Sequence, residues 1–226
     1  MGAVAGMMGL TASLGSAPIE FAYRGYVDDT GNGPNFSFSV PAAMPTNCLM
    51  VVAVGQEGCG SITSLSGGGY TWTKVATTGL VGTQADGQEA AIFATEITTK
   101  PSSVTMACNN EGFRANAAFY SVINHTSATP IATDNAGATS VTSRSITLNN
   151  LQDGDAVIAY CAHARQGTLS FTGITRDFST TTSENLSTFA SASDYKSGDG
   201  SLGITATGTG AQMNNNYMNL VAAAWR

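Results

Sequence analysis

The stretch "DGDAVIAYCAHARQG" (153–167) places Cys161 and His163 two residues apart in an apolar run. In a strand, positions i and i+2 project from the same face. A thiol beside an imidazole can serve as nucleophile and base, as two metal ligands, or as two small buried groups. A cysteine nucleophile of the papain kind stands at a helix N-terminus and takes its histidine from a separate element. Neither condition holds here. A zinc site needs at least three protein ligands, and the only other histidine is His125. Packing is the favoured reading of the pair, so no catalytic residue, metal ligand or cofactor-binding residue is assigned.

Carboxylates and aromatics offer two further chemistries. Asp28 and Asp29, Asp153 and Asp155, and Asp194 and Asp199 are spaced as pairs. Paired carboxylates flank the scissile bond in glycosidases, and loop carboxylates can hold calcium. Each pair lies in a Gly-rich turn, where Asp bonds to nearby backbone, and that is the preferred reading. Calcium in "SDYKSGDG" (193–200) stays as the alternative. Tyr70, Trp72, Tyr195, Tyr217 and Trp225 could stack on sugars. Trp225 ends an apolar strand and is expected in the core. Tyr70 and Tyr195 are kept as candidate glycan contacts. The sequons at Asn35, Asn124 and Asn185 are expected by chance in a chain so rich in Asn, Ser and Thr.

The elements that must position these residues are strands. "FSFSV" (36–40), "SVTMAC" (103–108), "RSITL" (144–148) and "SLGITATG" (201–208) alternate or read as short β-rich runs. "CLMVVAVG" (48–55), "AAIFATEI" (90–97) and "NAAFYSVI" (116–123) are denser in apolar residues. Clusters such as "DDTGNGP", "SGGG" and "SGDG" punctuate them. Outside residues 1–16 no segment reads as a helix. An internal repeat is visible, with halves at about 48–124 and 155–225. The expectation is an all-β, jelly-roll-like antiparallel β-sandwich of about eight to ten strands. It forms a single domain over 17–226, preceded by an apolar arm over 1–16. Two tandem immunoglobulin-like sandwiches are the alternative.

Composition narrows the function classes. Of 226 residues, 42 % are hydrophobic, so the chain can build a core, while only 11 % are charged, against about 25 % in ordinary globular proteins. Net charge is −6, and the nine Lys and Arg are scattered. A nucleic-acid interface needs a basic footprint, and an anionic membrane surface attracts basic clusters; neither partner is expected. The cysteines Cys48, Cys59, Cys108 and Cys161 show no framework spacing, and all four are expected as reduced thiols.

The order "CLMVVAVG … YTWTKVATTG … AAIFATEI … SVTMAC … AAFYSVINHTSATPI … LQDGDAVIAYCA … VAAAW" resembles the small-residue-rich jelly-roll accessory proteins of tailed-phage virions. The turn "VINHTSATPI" is its most telling piece, and the likeness runs from about Cys48 to the C-terminus. The resemblance implies a non-enzymatic structural protein located in the virion, as a capsid decoration, spike or tail component. Its partners would be other virion proteins or further copies of itself, and no cofactor is implied. In that pattern Trp72 packs into the core. An extracellular carbohydrate-binding module or host-surface adhesin, with a glycan as partner, is the alternative. A jelly-roll polysaccharide lyase ranks below it, since no Gln, His, Arg and Tyr set clusters on one strand face. Residues 1–16 are uncharged and carry Val4, Met7, Met8, Leu10 and Leu14, whose burial on a neighbour would be worth roughly 1.5–3 kcal/mol each. They are expected to act as an assembly arm.

Overall fold

A computed structural model of the chain describes residues 17–83, 87–182, 187–210 and 217–226. The proposed arm residues Val4, Met7, Met8, Leu10 and Leu14, and the sequon at Asn185, lie outside the described residues. The first half contains β1 (Glu20–Asp29), β2 (Gly33–Ser39), β3 (Cys48–Glu57), β4 (Ile62–Ser66), β5 (Thr73–Thr77), β6 (Gln88–Ile97), β7 (Ser103–Gly112) and β8 (Arg114–Ile123). The second contains β9 (Ala132–Ala138), β10 (Ser143–Leu151), β11 (Ala156–His163), β12 (Thr168–Thr172), β13 (Arg176–Thr181), β14 (Thr188–Tyr195), β15 (Gly200–Thr209) and β16 (Met218–Trp225).

The class read from the sequence, all-β with antiparallel pairing, is the class observed. The strand count is not. Sixteen strands stand among the described residues rather than eight to ten. They form a five-stranded sheet β1-β8-β3-β6-β5 with a three-stranded sheet β2-β7-β4, then the same order again as β9-β16-β11-β14-β13 with β10-β15-β12. The repeat units therefore run 20–123 and 132–225, and each half recognised in the sequence lacked its first two strands. The count fell short for local reasons. β4 is five residues long beside a Gly-rich turn, and β12 and β13, five and six residues long, read as one strand. β9, "ATDNAGA", carries almost no apolar signal.

The four sheets stack as four layers, with a three-stranded sheet outside each five-stranded one. Three apolar cores fill the gaps. Phe36, Phe38, Met50, Val52, Met106 and Phe119 fill the first outer core, and Ile146, Leu148, Val157, Cys161, Leu169 and Leu220 fill the second. Between them the two five-stranded sheets face each other across Leu49, Val51, Ile92, Tyr120, Tyr160, Phe189 and Trp225. This explains the sequence pattern. β3, β11 and β16 are buried at every residue because both their faces are covered, whereas β2, β7, β10 and β15 alternate toward water.

Equivalent turns use the same backbone with different residues. Asn47 before β3 and Gly154 before β11 both take positive φ, 54° and 86°, the left-handed region these two residue types tolerate best.

The expectation of four reduced cysteines is overturned. Cys59, after β3, and Cys108, on β7, form a disulfide with Cα atoms 5.8 Å apart, while Cys48 and Cys161 are buried free thiols. The partners are 49 residues apart in sequence and meet because the β4–β7 pairing sets Ile62 opposite Cys108; no local spacing encodes that. Alkylation of the unfolded protein without reductant should add two labels, and four after reduction. Four labels without reductant, read by intact mass, would remove the disulfide.

The approach of the two inner sheets sets a second expectation. A Cβ on Gly55 would come within 2.8 Å of the Tyr160 ring and 3.0 Å of the Phe189 ring. Both rings are fully buried and have no room to retreat. Gly55→Val should therefore lower stability by about 1–3 kcal/mol through overpacking, and an unchanged denaturant midpoint would count against this packing.

Candidate functional site at the seam between the repeats

The central core is apolar in the middle and polar along its margins. Large rings bring hydroxyls with them, and a buried hydroxyl needs a partner. Tyr160 on β11 donates to Asn116 Oδ1 on β8 at 2.7 Å, and Asn116 Nδ2 donates to Asp28 Oδ1 on β1 at 2.8 Å. Tyr120 on β8 donates to Asp177 Oδ2 on β13 at 2.7 Å, and Ser193 Oγ donates to Asp177 Oδ1 at 3.0 Å. Asn219 on β16 donates to Gln88 on β6, through both its backbone and side-chain oxygens at 3.3 Å. Arg114 pairs with Glu57 at 3.1 Å, and Ser187 of the other repeat also donates to Glu57.

Two of these residues are equivalent by repeat. Asn116 lies opposite Gly55 in the β3–β8 ladder, and Asn219 lies opposite Ala162 in the β11–β16 ladder. Each reaches across the seam to the other repeat. The pattern was legible, since each is an asparagine at the same place in the eighth strand of its repeat, but it emerges only once the repeats are set in register.

A row of rings closes one side of the seam. Tyr26 stacks on Phe178 with centroids 4.3 Å apart, Tyr23 lies 6.0 Å from the same ring, and Phe21 meets Tyr195 edge-on at 4.5 Å. Tyr26 and Tyr195 keep 43 % and 45 % of their surface exposed. Beside Tyr195 opens a cleft of about 400 Å³, lined also by Ile19, Thr126, Gln152, Asp153, Asp155 and Arg226. Its repeat equivalent is smaller, about 230 Å³, with Cys48 in place of Asp155 and Glu96 in place of Tyr195. The connecting segment flanks both clefts. It contributes Thr126 to one and His125 to the other, with His125 Nε2 lying 3.3 Å from Glu96 Oε1.

The residues singled out in the sequence fall as follows. Cys161 is fully buried in the second outer core, and burial pushes its thiol far above the ordinary range. Cys48 is likewise pushed up, to about 11. A thiol held neutral is the opposite of an activated nucleophile. His163 is buried on the same strand, opposite Thr188 and Met218.

The acidic pairs serve turns and the seam. Asp153 Oδ1 accepts from Gly198 N, Asp199 Oδ1 from Asp153 N, and Asp194 Oδ1 from Tyr195 N. Asp29 accepts from Gly31 N and Ser37 N. Asp155 is 1 % exposed and takes a two-pronged bond from Arg226, Nε to Oδ1 at 2.9 Å and Nη2 to Oδ2 at 2.8 Å. Among the described residues no three of His, Cys, Asp and Glu group closely enough to hold a metal ion.

The two glycan candidates are not brought together. Tyr70 lies between β4 and β5 of the first repeat, half-buried, and its hydroxyl is tied to Thr98 and Thr99. Tyr195 ends β14 of the second. Trp72 packs half-buried against the first outer core, and Trp225 is fully buried with its indole N–H on Ala128 O at 3.1 Å. No family model matches the chain, and no curated protein is significantly similar to it.

The seam carboxyls set a pH dependence. Burial raises Asp177 above the usual carboxylate range, against the lowering effect of its bonds from Tyr120 and Ser193. Burial raises Asp28 in the same way, against its bond from Asn116. A carboxyl whose pKa rises on folding contributes stability below its ordinary pKa, and that contribution is lost as pH rises through the folded value. Asp177→Asn can remake both hydrogen bonds without the charge. Its stability relative to the native protein should therefore improve as pH rises from about 4 toward 7. A difference independent of pH in denaturant titrations would show that Asp177 does not titrate in the fold.

Proposed function

We propose that the protein is a non-enzymatic structural component of a phage virion, a capsid decoration, spike or tail protein that acts through assembly contacts. One observation carries the reading. The outer face of the sheet β10-β15-β12 presents a continuous field of hydroxyls and no charged side chain. Ser145 lies opposite Thr205, which lies opposite Thr172; Ser143 lies opposite Thr207, which lies opposite Ser170. The outer face of β2-β7-β4 carries a like row, Ser37, Thr105 and Ser66, with the charged Glu111 exposed near the end of β7. Covering charged groups costs several kcal/mol unless each is paired, and interface centres are depleted of charge. Hydroxyls are cheaper to cover and can bond to a neighbour's backbone. Two such faces on opposite sides of a four-layer body suit contact with neighbours on both sides.

Three further features support this reading. Within each unit the order 1-8-3-6 in one sheet and 2-7-4 in the other is compatible with a jelly roll, with the fifth strand lying beside the sixth. The Cys59–Cys108 disulfide fits an oxidising setting such as a particle surface. The Cys161–His163 pair, the strongest nucleophilic candidate in the sequence, is sealed from solvent.

Gradient fractionation of lysates from infected cells tests the proposal: the protein should co-sediment with particles, and recovery only as free monomer would refute it. Thr205→Lys with Thr207→Lys, both on the outer face of β15, should change monomer stability by about 0.5 kcal/mol or less yet block incorporation into particles. Normal incorporation of that variant would show the face to be uncovered.

A further inference from the structure

We infer that the cleft beside Tyr195 binds a pyranose unit of a neutral glycan. The Tyr195 ring is exposed on one side and fixed on the other. Phe21 packs edge-on against it at 4.5 Å, and its hydroxyl accepts the Phe21 backbone N–H at 3.0 Å. A ring already held in place gives up little side-chain freedom when a ligand stacks on it. The C–H face of a pyranose is the apolar surface that such a ring accepts.

The polar groups around the ring suit the sugar's edge. Asp153 is exposed, with Oδ1 engaged by Gly198 N, so Oδ2 remains to accept a hydroxyl. Gln152 is exposed beside it and can both donate and accept. Arg226 spends Nε and Nη2 on Asp155 and keeps Nη1 as a donor. Together they offer one acceptor on Asp153, one donor on Arg226 and both kinds on Gln152 to the hydroxyls of a sugar. Asp153, Asp155 and Asp199 outnumber Arg226 and Lys196 in and around the cleft, so a uronic or sialic acid is disfavoured and a neutral sugar fits. The cleft is of the size that holds small ligands.

The equivalent cleft of the first repeat serves as an internal comparison. Glu96 replaces Tyr195 there, and the cleft is about half as large. Binding is accordingly assigned to one repeat only.

The test uses the full chain and saturation-transfer NMR with maltotriose, cellotriose, chitotriose and a β-galactoside trisaccharide. At least one should bind. Tyr195→Ala should weaken that binding about tenfold, whereas Tyr195→Trp, which keeps a stacking face, should retain it. Asp153→Asn, at an exposed position, should weaken binding without lowering the melting temperature, and this variant carries the test if Tyr195→Ala loses stability. Tyr70→Ala should bind like the native chain. Absence of binding to all four sugars, or equal binding by the Tyr195→Ala and Asp153→Asn variants, would overturn the inference. Particle incorporation is a separate readout, so the assembly role and the glycan site can fail independently.

Discussion

The face-to-face burial of the two five-stranded sheets is the constraint on which the rest of the molecule depends. An antiparallel sheet ordinarily keeps one face wet. Here each inner sheet is covered by its own three-stranded partner on one side and by the other repeat on the other. Side chains such as Leu49, Val51, Ile92 and Val221 are thereby removed from water, at roughly 1.5–3 kcal/mol each. Neither sandwich could leave that face exposed alone, since it would be an apolar patch far larger than soluble monomers tolerate. The repeats are therefore fused by the same interaction that completes their cores.

Such close burial brings its own demands. Tyr120, Tyr160 and Trp225 supply area, and each carries a polar atom that must be bonded. Asn116, Asp177 and the carbonyl of Ala128 answer them. Gly55 leaves room for the Tyr160 and Phe189 rings. The connecting segment closes the arrangement: Thr126 bonds the Arg226 carbonyl through both its N–H and its hydroxyl, and Trp225 bonds back to Ala128. The segment thus laces the end of the second repeat to the exit of the first.

Duplication also explains how one molecule comes to hold two unlike clefts. Repeat-equivalent positions start from the same backbone geometry, and side-chain differences then separate them. Where the first repeat has Cys48 and Glu96, the second has Asp155 and Tyr195. Cys48 is buried against the first outer core, whereas Asp155 holds Arg226 at the margin of the larger cleft, beside an exposed ring. The outer faces diverge far less: both keep hydroxyl rows.

The sequence by itself determined the strand character, the turns and the doubling. Period-two runs, Gly and Asn at left-handed positions and a repeated apolar strand are local signals, and local signals survive without tertiary context. It also showed that β11 is covered on both faces, because Val157, Ala159 and Cys161 are as apolar as Ile158, Tyr160 and Ala162. Only the tertiary structure decided what covers them. The strand count, the four-layer stacking and the Cys59–Cys108 bond depend on pairings between residues tens of positions apart, where neither spacing nor composition carries information. The same holds for Tyr195, which a sequence marks only as an aromatic at a strand end. Its exposed ring, its anchoring by Phe21 and the cleft beside it arise from five chain segments, around residues 17–21, 126, 152–155, 195 and 226, that meet only when the two repeats close on each other.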